Sequence, residues 1–109
     1  MKSLNFTLFK EKLLDESKTQ TIRAIFIPRF LEGEIISIKF EKEHLFHAKV
    51  LEVFPRQLRY INWEIAVRDG FGYADLPILE CQKKLMEINK GLKLDNWVFI
   101  IRFEKVRKK

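Results

Sequence analysis

Ile35-Ile36-Ser37-Ile38-Lys39-Phe40, then Glu41-Lys42-Glu43-His44, then Leu45-Phe46-His47-Ala48-Lys49-Val50-Leu51-Glu52-Val53-Phe54: this stretch decides the fold. The first six residues are apolar and β-branched, as a strand is. The last ten place Phe46, Ala48 and Val50 on one parity, with Glu52 next in that row, and read as a second strand. The four polar residues between them are too few for a crossover, so the two strands pair as an antiparallel hairpin.

On the N-terminal side, Leu4-Asn5-Phe6-Thr7-Leu8 alternates apolar and polar as a half-buried strand does. Phe9, Leu13 and Leu14 then take helical spacing, with charges between them, which predicts a short amphipathic helix over 9–17. Lys18-Thr19-Gln20-Thr21-Ile22-Arg23 follows, and nowhere else does the chain place two cations and two hydroxyls so close together. If 19–24 is extended, Thr19, Thr21 and Arg23 share one face, and Gln20, Ile22 and Ala24 share the other. Lys18 joins the polar row only if the chain turns at 18–19. The apolar run 24–31 contains Pro28, which predicts an edge segment or loop, and Glu32-Gly33-Glu34 predicts a turn.

On the C-terminal side, Pro55 punctuates the chain. Leu58, Ile61, Ile65 and Ala66 form a helical stripe within 57–67, and Asp69-Gly70-Phe71-Gly72 breaks it. Asp75 is the expected N-cap and Pro77 the first turn of the next helix, along Ile78, Leu79, Gln82, Leu85 and Met86, ended by Gly91. A strand over 94–106 closes the chain, with Trp97, Phe99, Ile101 and Phe103 on one parity and Val98, Ile100 and Arg102 on the other. The helices cluster in two places and do not alternate with the strands. That order predicts one α+β domain over 1–109, a small, mainly antiparallel β-barrel with helices covering its openings, and excludes a doubly wound parallel sheet.

Composition narrows the function. Ten Phe and 47% hydrophobic residues in 109 predict a packed globule. A single cysteine, Cys81, excludes an intrachain disulfide and points to a cytoplasmic setting. No apolar run suits a signal peptide or a membrane span, so Asn5-Phe6-Thr7 reads as a chance sequon. The net charge is +6, and Arg102, Lys105, Arg107, Lys108 and Lys109 hold most of the excess. Such a tail is either a solvated end or an electrostatic attraction to a polyanion such as RNA. His44 and His47 read as hairpin-surface residues and not zinc ligands. Cys81 reads as core, and neither metal nor cofactor is expected.

Several segments together resemble a known family. An early helix followed by Lys18-Thr19-x-Thr21-x-Arg23 is similar to the signature of ASCH (activating signal cointegrator homology) domains, small β-barrels of the PUA-like superfamily. Phe30-Leu31-Glu32-Gly33-Glu34-Ile35-Ile36 resembles the family's turn into a strand. Ala48 to Val53 resembles its next strand, Asp69-Gly70-Phe71 its interhelical turn, and Trp97 to Phe103 its closing strand. Ser17 stands where the family often has Gly, and Glu34 where Asp is commoner.

The resemblance implies RNA-related work, as an RNA- or nucleotide-binding domain in RNA metabolism or translation-related regulation. It also implies an alternative: some small members are amidohydrolases that deacetylate N4-acetylcytidine with a Lys, a Thr and a Glu. Lys18 and Thr21 match the first two, and Asp69 falls near the third. A lysine sheltered from water has a lowered pKa and can take a proton from Thr21 or a water, while Asp69 holds it or protonates the leaving amine. Arg23 suits a phosphate or carboxylate, or an ion pair with Asp69 or Glu64. Phe71, Tyr73 and Trp63 can stack on a base or belong to the core. The expected ligand-binding set is Lys18, Thr19, Thr21, Arg23, Asp69, Phe71 and Tyr73. A protein-interaction domain using its aromatic surface is the third reading.

Overall fold

The structure is a computed structural model that describes residues 1–24 and 29–107. Five strands form one curled sheet: β1 (Ser3–Phe6), β2 (Gln20–Arg23), β3 (Ile35–Phe40), β4 (Glu43–Gln57) and β5 (Trp97–Lys105). Their order across the sheet is β1-β3-β4-β5-β2. Every pairing is antiparallel except β1 with β3. Three helices accompany it: α1 (Lys10–Leu14), α2 (Trp63–Ala66) and α3 (Pro77–Ile88). The α+β half-barrel with covering helices is thus the architecture. No helix among the described residues is long and apolar enough to cross a membrane.

The hairpin turns at Glu41 and Lys42, both with positive φ (48° and 73°), the twist that matches two right-twisted strands. Phe46, Ala48 and Val50 face the barrel interior with Ile36, Ile38, Leu4 and Phe6. Between Val50 and Glu52 the register against β5 shifts. The bulge reverses the parity, so Val53 packs on the interior cluster while Glu52 is exposed, correcting its expected place in the inward row. β5 serves both layers. Ile101 and Phe103 enter the interior cluster, whereas Val98 and Ile100 join the cluster beneath α2 and α3, with Ile65, Ala66, Phe71, Cys81 and Leu85.

Several boundaries differ from expectation. α1 ends at Leu14, not near Ser17, because Glu16 turns left-handed (φ 66°). Pro55 lies inside β4, opposite Phe99. Its missing donor is harmless because β3 pairs only as far as Lys49, leaving that side of β4 open. The stripe at 57–67 is not one helix. Gln57 still belongs to β4, Leu58–Tyr60 make one 3₁₀ turn, and α2 begins only after Asn62. α3 starts with Pro77 at its first position, but its N-cap is Leu76, which has no side-chain acceptor, and not Asp75. The expected edge segment around Pro28 lies outside the described residues.

The Asn62 carboxamide oxygen accepts the Ile65 amide at 2.8 Å, the capping bond that the helical stripe conceals. Asn62→Ala should lower stability by about 1 kcal/mol. Thermal unfolding would register this as a Tm drop of about 4–8 °C; an unchanged Tm would show the cap to be idle.

Candidate functional site

Lys18 and Asp69 are 51 positions apart and meet because the backbone clamps their neighbours together. The Thr19 amide donates to the Arg68 carbonyl at 3.1 Å, while the Thr19 carbonyl accepts the Phe103 amide of β5 at 3.0 Å. One residue thereby ties the helical layer to the sheet, and the residue before it points inward. Asp69 itself sits on a single π turn, Val67–Phe71, continuing from α2, with Gly70 at φ 105°. The left-handed glycine ends the helical run there, as glycines at helix C-termini do.

Both members of the pair are 5% exposed. The Lys18 ammonium donates to the Asp69 carbonyl oxygen at 2.6 Å and stands 3.3 Å from the carboxylate Oδ1. It also lies 5.4 and 5.8 Å from the ring centres of Phe6 and Phe9. Burial drives the Lys18 pKa down, opposed by the Asp69 charge. Burial likewise drives the Asp69 pKa up, opposed by Lys18. Gln20, fully buried on the adjoining strand, donates to the Ile65 carbonyl at 2.7 Å. Gln20 Oε1 and Asp69 Oδ1 have no hydrogen-bond partner among the described residues.

β1 and β2 are the two edges of the sheet and share no ladder. A side chain links them: Arg23 Nη2 on β2 donates to the Asn5 carbonyl on β1 at 2.9 Å. Arg23 Nε donates to Thr21 Oγ1 at 2.9 Å, and the guanidinium lies 5.2 Å from the Phe6 ring centre. Burial lowers the Arg23 pKa, against the Asp69 charge. The seam between these edges is a cleft of about 150 Å³. Asn5, Phe6 and Phe9 form one wall and Thr21 and Arg23 another. Lys18 and Asp69 reach in beside each other, and Lys84, Leu85 and Ile88 of α3, with Asn89 just past its end, close it.

Of the residues singled out from the sequence, Lys18, Thr21, Arg23, Asp69 and Phe71 line this cleft. Thr19 and Tyr73 are absent from its walls. Thr19 borders a separate hollow with Arg68 and Arg102. Tyr73 is exposed and stands behind Phe9, with ring centres 6.0 Å apart. Phe71 is a core residue that touches the cleft with little exposed surface. Trp63 is exposed at the start of α2. The two anticipated ion pairs of Arg23 do not form: Asp69 pairs with Lys18, and Glu64 with Arg68 at 3.0 Å and Arg102 at 3.6 Å.

The basic C-terminus is in part structural. Arg102 of β5 is held by Glu64 of α2 and Arg107 reaches Glu16 at 2.7 Å, while Lys108 and Lys109 lie outside the described residues. The thiol of Cys81 is buried and its pKa is pushed up by burial. Among the described residues no group of three or more His, Cys, Asp or Glu is placed to hold a metal ion. Phe6, Phe9 and the α3 wall were not foreseen. Their apolar side chains carry no signal that separates a cleft wall from a core.

No family model and no curated protein matches the sequence. Solved structures do. An ASCH domain from Lactobacillus crispatus superposes on 95% of this chain and 79% of its own, with TM-score 0.69 and 11% identity. A protein from Enterococcus faecalis described by the family model DUF984 superposes on 88% of this chain and 68% of its own, with TM-score 0.62 and 15% identity. At such identities the likeness is one of backbone path. The chain has the fold of an ASCH domain.

Proposed function

We propose that the cleft between β1 and β2 receives a nucleotide or an RNA residue, and that the protein works in RNA metabolism or translation-related regulation. The observation that supports this reading is the convergence of Lys18, Thr21, Arg23 and Asp69 with the rings of Phe6 and Phe9 on one cleft. Aromatic rings beside cations and hydrogen-bonding groups are what a base with its sugar-phosphate requires. Titration with short single-stranded RNA should give affinity that falls steeply with salt. Lys18→Met combined with Arg23→Gln should weaken it by about tenfold or more, as loss of charge-assisted bonds does. Equal affinity of the double variant and the parent would end the reading.

A hydrolytic reading has one observation in its favour. Lys18 is fixed by Asp69 in a water-poor wall shared with Thr21, where burial favours its neutral, proton-accepting form. An amide carbonyl placed there would be attacked by a water as Lys18 takes its proton, or by the Thr21 hydroxyl, whose acyl ester a water then hydrolyses to free the acid. The departing amine would then receive a proton from Lys18 or Asp69. On this reading the purified protein releases acetate from N4-acetylcytidine, and Lys18→Met and Thr21→Val abolish the release. No turnover by the parent protein would exclude it.

A further inference from the structure

We infer that the cleft is built for the terminal phosphate monoester of a small ligand, received by Arg23 with Lys84 at the mouth, and not for an internal phosphodiester. The inference rests on the reading of the cleft as a ligand site and adds the chemistry of what enters it.

Arg23 is half-buried, and its plane is set on two sides, Nε by Thr21 and Nη2 by Asn5. Among the described residues Nη1 has no hydrogen-bond partner, and Arg23 forms no ion pair. Charges removed from water are ordinarily paired. A guanidinium held this firmly, with one nitrogen open and no ion pair among the described residues, is a receptor awaiting an anion.

The balance of charge indicates which anion. The walls carry three cations, Lys18, Arg23 and Lys84, against the single carboxylate of Asp69. Lys18 and Asp69 neutralise each other at 3.3 Å. The excess of two falls on Arg23 and on Lys84, whose only ion pair among the described residues is a loose surface one, 3.5 Å from Glu87. A phosphate monoester carries about −1.5 to −2 at pH 7, so it matches that excess better than a carboxylate or a diester with one charge. A cleft of about 150 Å³ also holds the end of a ligand more readily than a strand passing through.

The test is calorimetric titration at fixed ionic strength with the four ribonucleosides, their 5′-monophosphates, and dinucleoside monophosphates whose only phosphate is internal. At least one monophosphate should bind about tenfold or more tightly than its nucleoside and than the dinucleosides. The preference should fall by a similar factor in Arg23→Gln and by a smaller one in Lys84→Gln. It should weaken as pH drops below about 6, where the monoester takes up its proton. Lys84 is half-buried at the mouth and outside the core clusters, so its variant keeps the test decisive if Arg23→Gln does not fold. Nucleoside and dinucleoside binding as tight as the monophosphate, and lost in Lys18→Met, would overturn the inference while leaving the cleft a ligand site. Absence of binding by every probe would overturn both.

Discussion

Asp69→Ala should destabilise the fold by about 3–5 kcal/mol, the usual cost of removing one member of a buried ion pair. Its partner Lys18 is 5% exposed, with the ring centres of Phe6 and Phe9 5.4 and 5.8 Å from its ammonium. The variant keeps the main-chain carbonyl at 69 as an acceptor but loses the only carboxylate paired with the ammonium. Lys18→Met/Asp69→Ala should recover much of the loss, since a methionine of similar length fills the space without a charge. Urea unfolding of the parent, both single variants and the double variant measures the coupling directly.

The pH dependence of Asp69→Ala gives an independent check. Burial already holds the Lys18 pKa below its ordinary value, and the Asp69 charge is the chief opposing force. Without that charge the folded-state pKa falls further below the unfolded value of about 10.4. Between those two pKa values the unfolded chain binds the extra proton, so stability rises with pH. The deficit of the variant should therefore shrink from neutral pH towards pH 10. A deficit that grows over that range would contradict a buried, uncompensated ammonium.

Gly70→Ala should destabilise the protein by about 2–5 kcal/mol, combining about 1–2 for a left-handed non-glycine residue with about 1–3 for overpacking. Gly70 has φ 105°. A Cβ there would lie 2.9 Å from Phe9 Cδ2 and within 3.3 Å of two more ring atoms. The ring has little room to yield. It stands edge-on to Phe71 at 5.3 Å, beside Tyr73, with the Lys12 ammonium 4.6 Å from its centre. Phe9 is itself left-handed, at φ 65°, a conformation that only surrounding packing sustains in a bulky residue. Phe9→Ala/Gly70→Ala should show a coupling of about 1 kcal/mol, because the clash disappears while the backbone strain stays. Strict additivity in denaturant unfolding would mean that the ring and the glycine do not constrain each other.

The hairpin, the order of elements and the two-sided burial of β5 were legible because alternation and turn chemistry are local. Ile36, Ile38, Phe46, Ala48 and Val50 are buried because they keep one parity. What was not legible depends on distant partners. Pro55 marks a strand end only if a second strand would need its donor, and β3 stops short of it. The 3₁₀ turn at Leu58–Tyr60 is fastened from outside, through the Leu58 amide to Asn96 and the Arg59 amide to Leu94. The place of Lys18 beside Thr21 and Arg23 was conditional on a turn at 18–19; the chain turns earlier, at Asp15–Ser17, the Thr19 carbonyl keeps step with Phe103 of β5, and Lys18 lines the cleft all the same. Arg23 had two plausible acid partners in sequence and takes neither. Its acceptor is the backbone of Asn5, which no side-chain pattern announces.

The bond from Arg23 to Asn5 has a consequence for how such a molecule can diversify. One guanidinium both latches the two sheet edges and faces the cleft, so altering it for a new cargo also loosens the closure. The exposed part of the wall from α3 carries no such double duty: Ile88 borders the cleft without holding the edges together or joining the core. Retuning of selectivity should therefore run along that helix, and a library randomised at 84, 88 and 89 should yield folded variants far more often than one randomised at 5, 21 and 23.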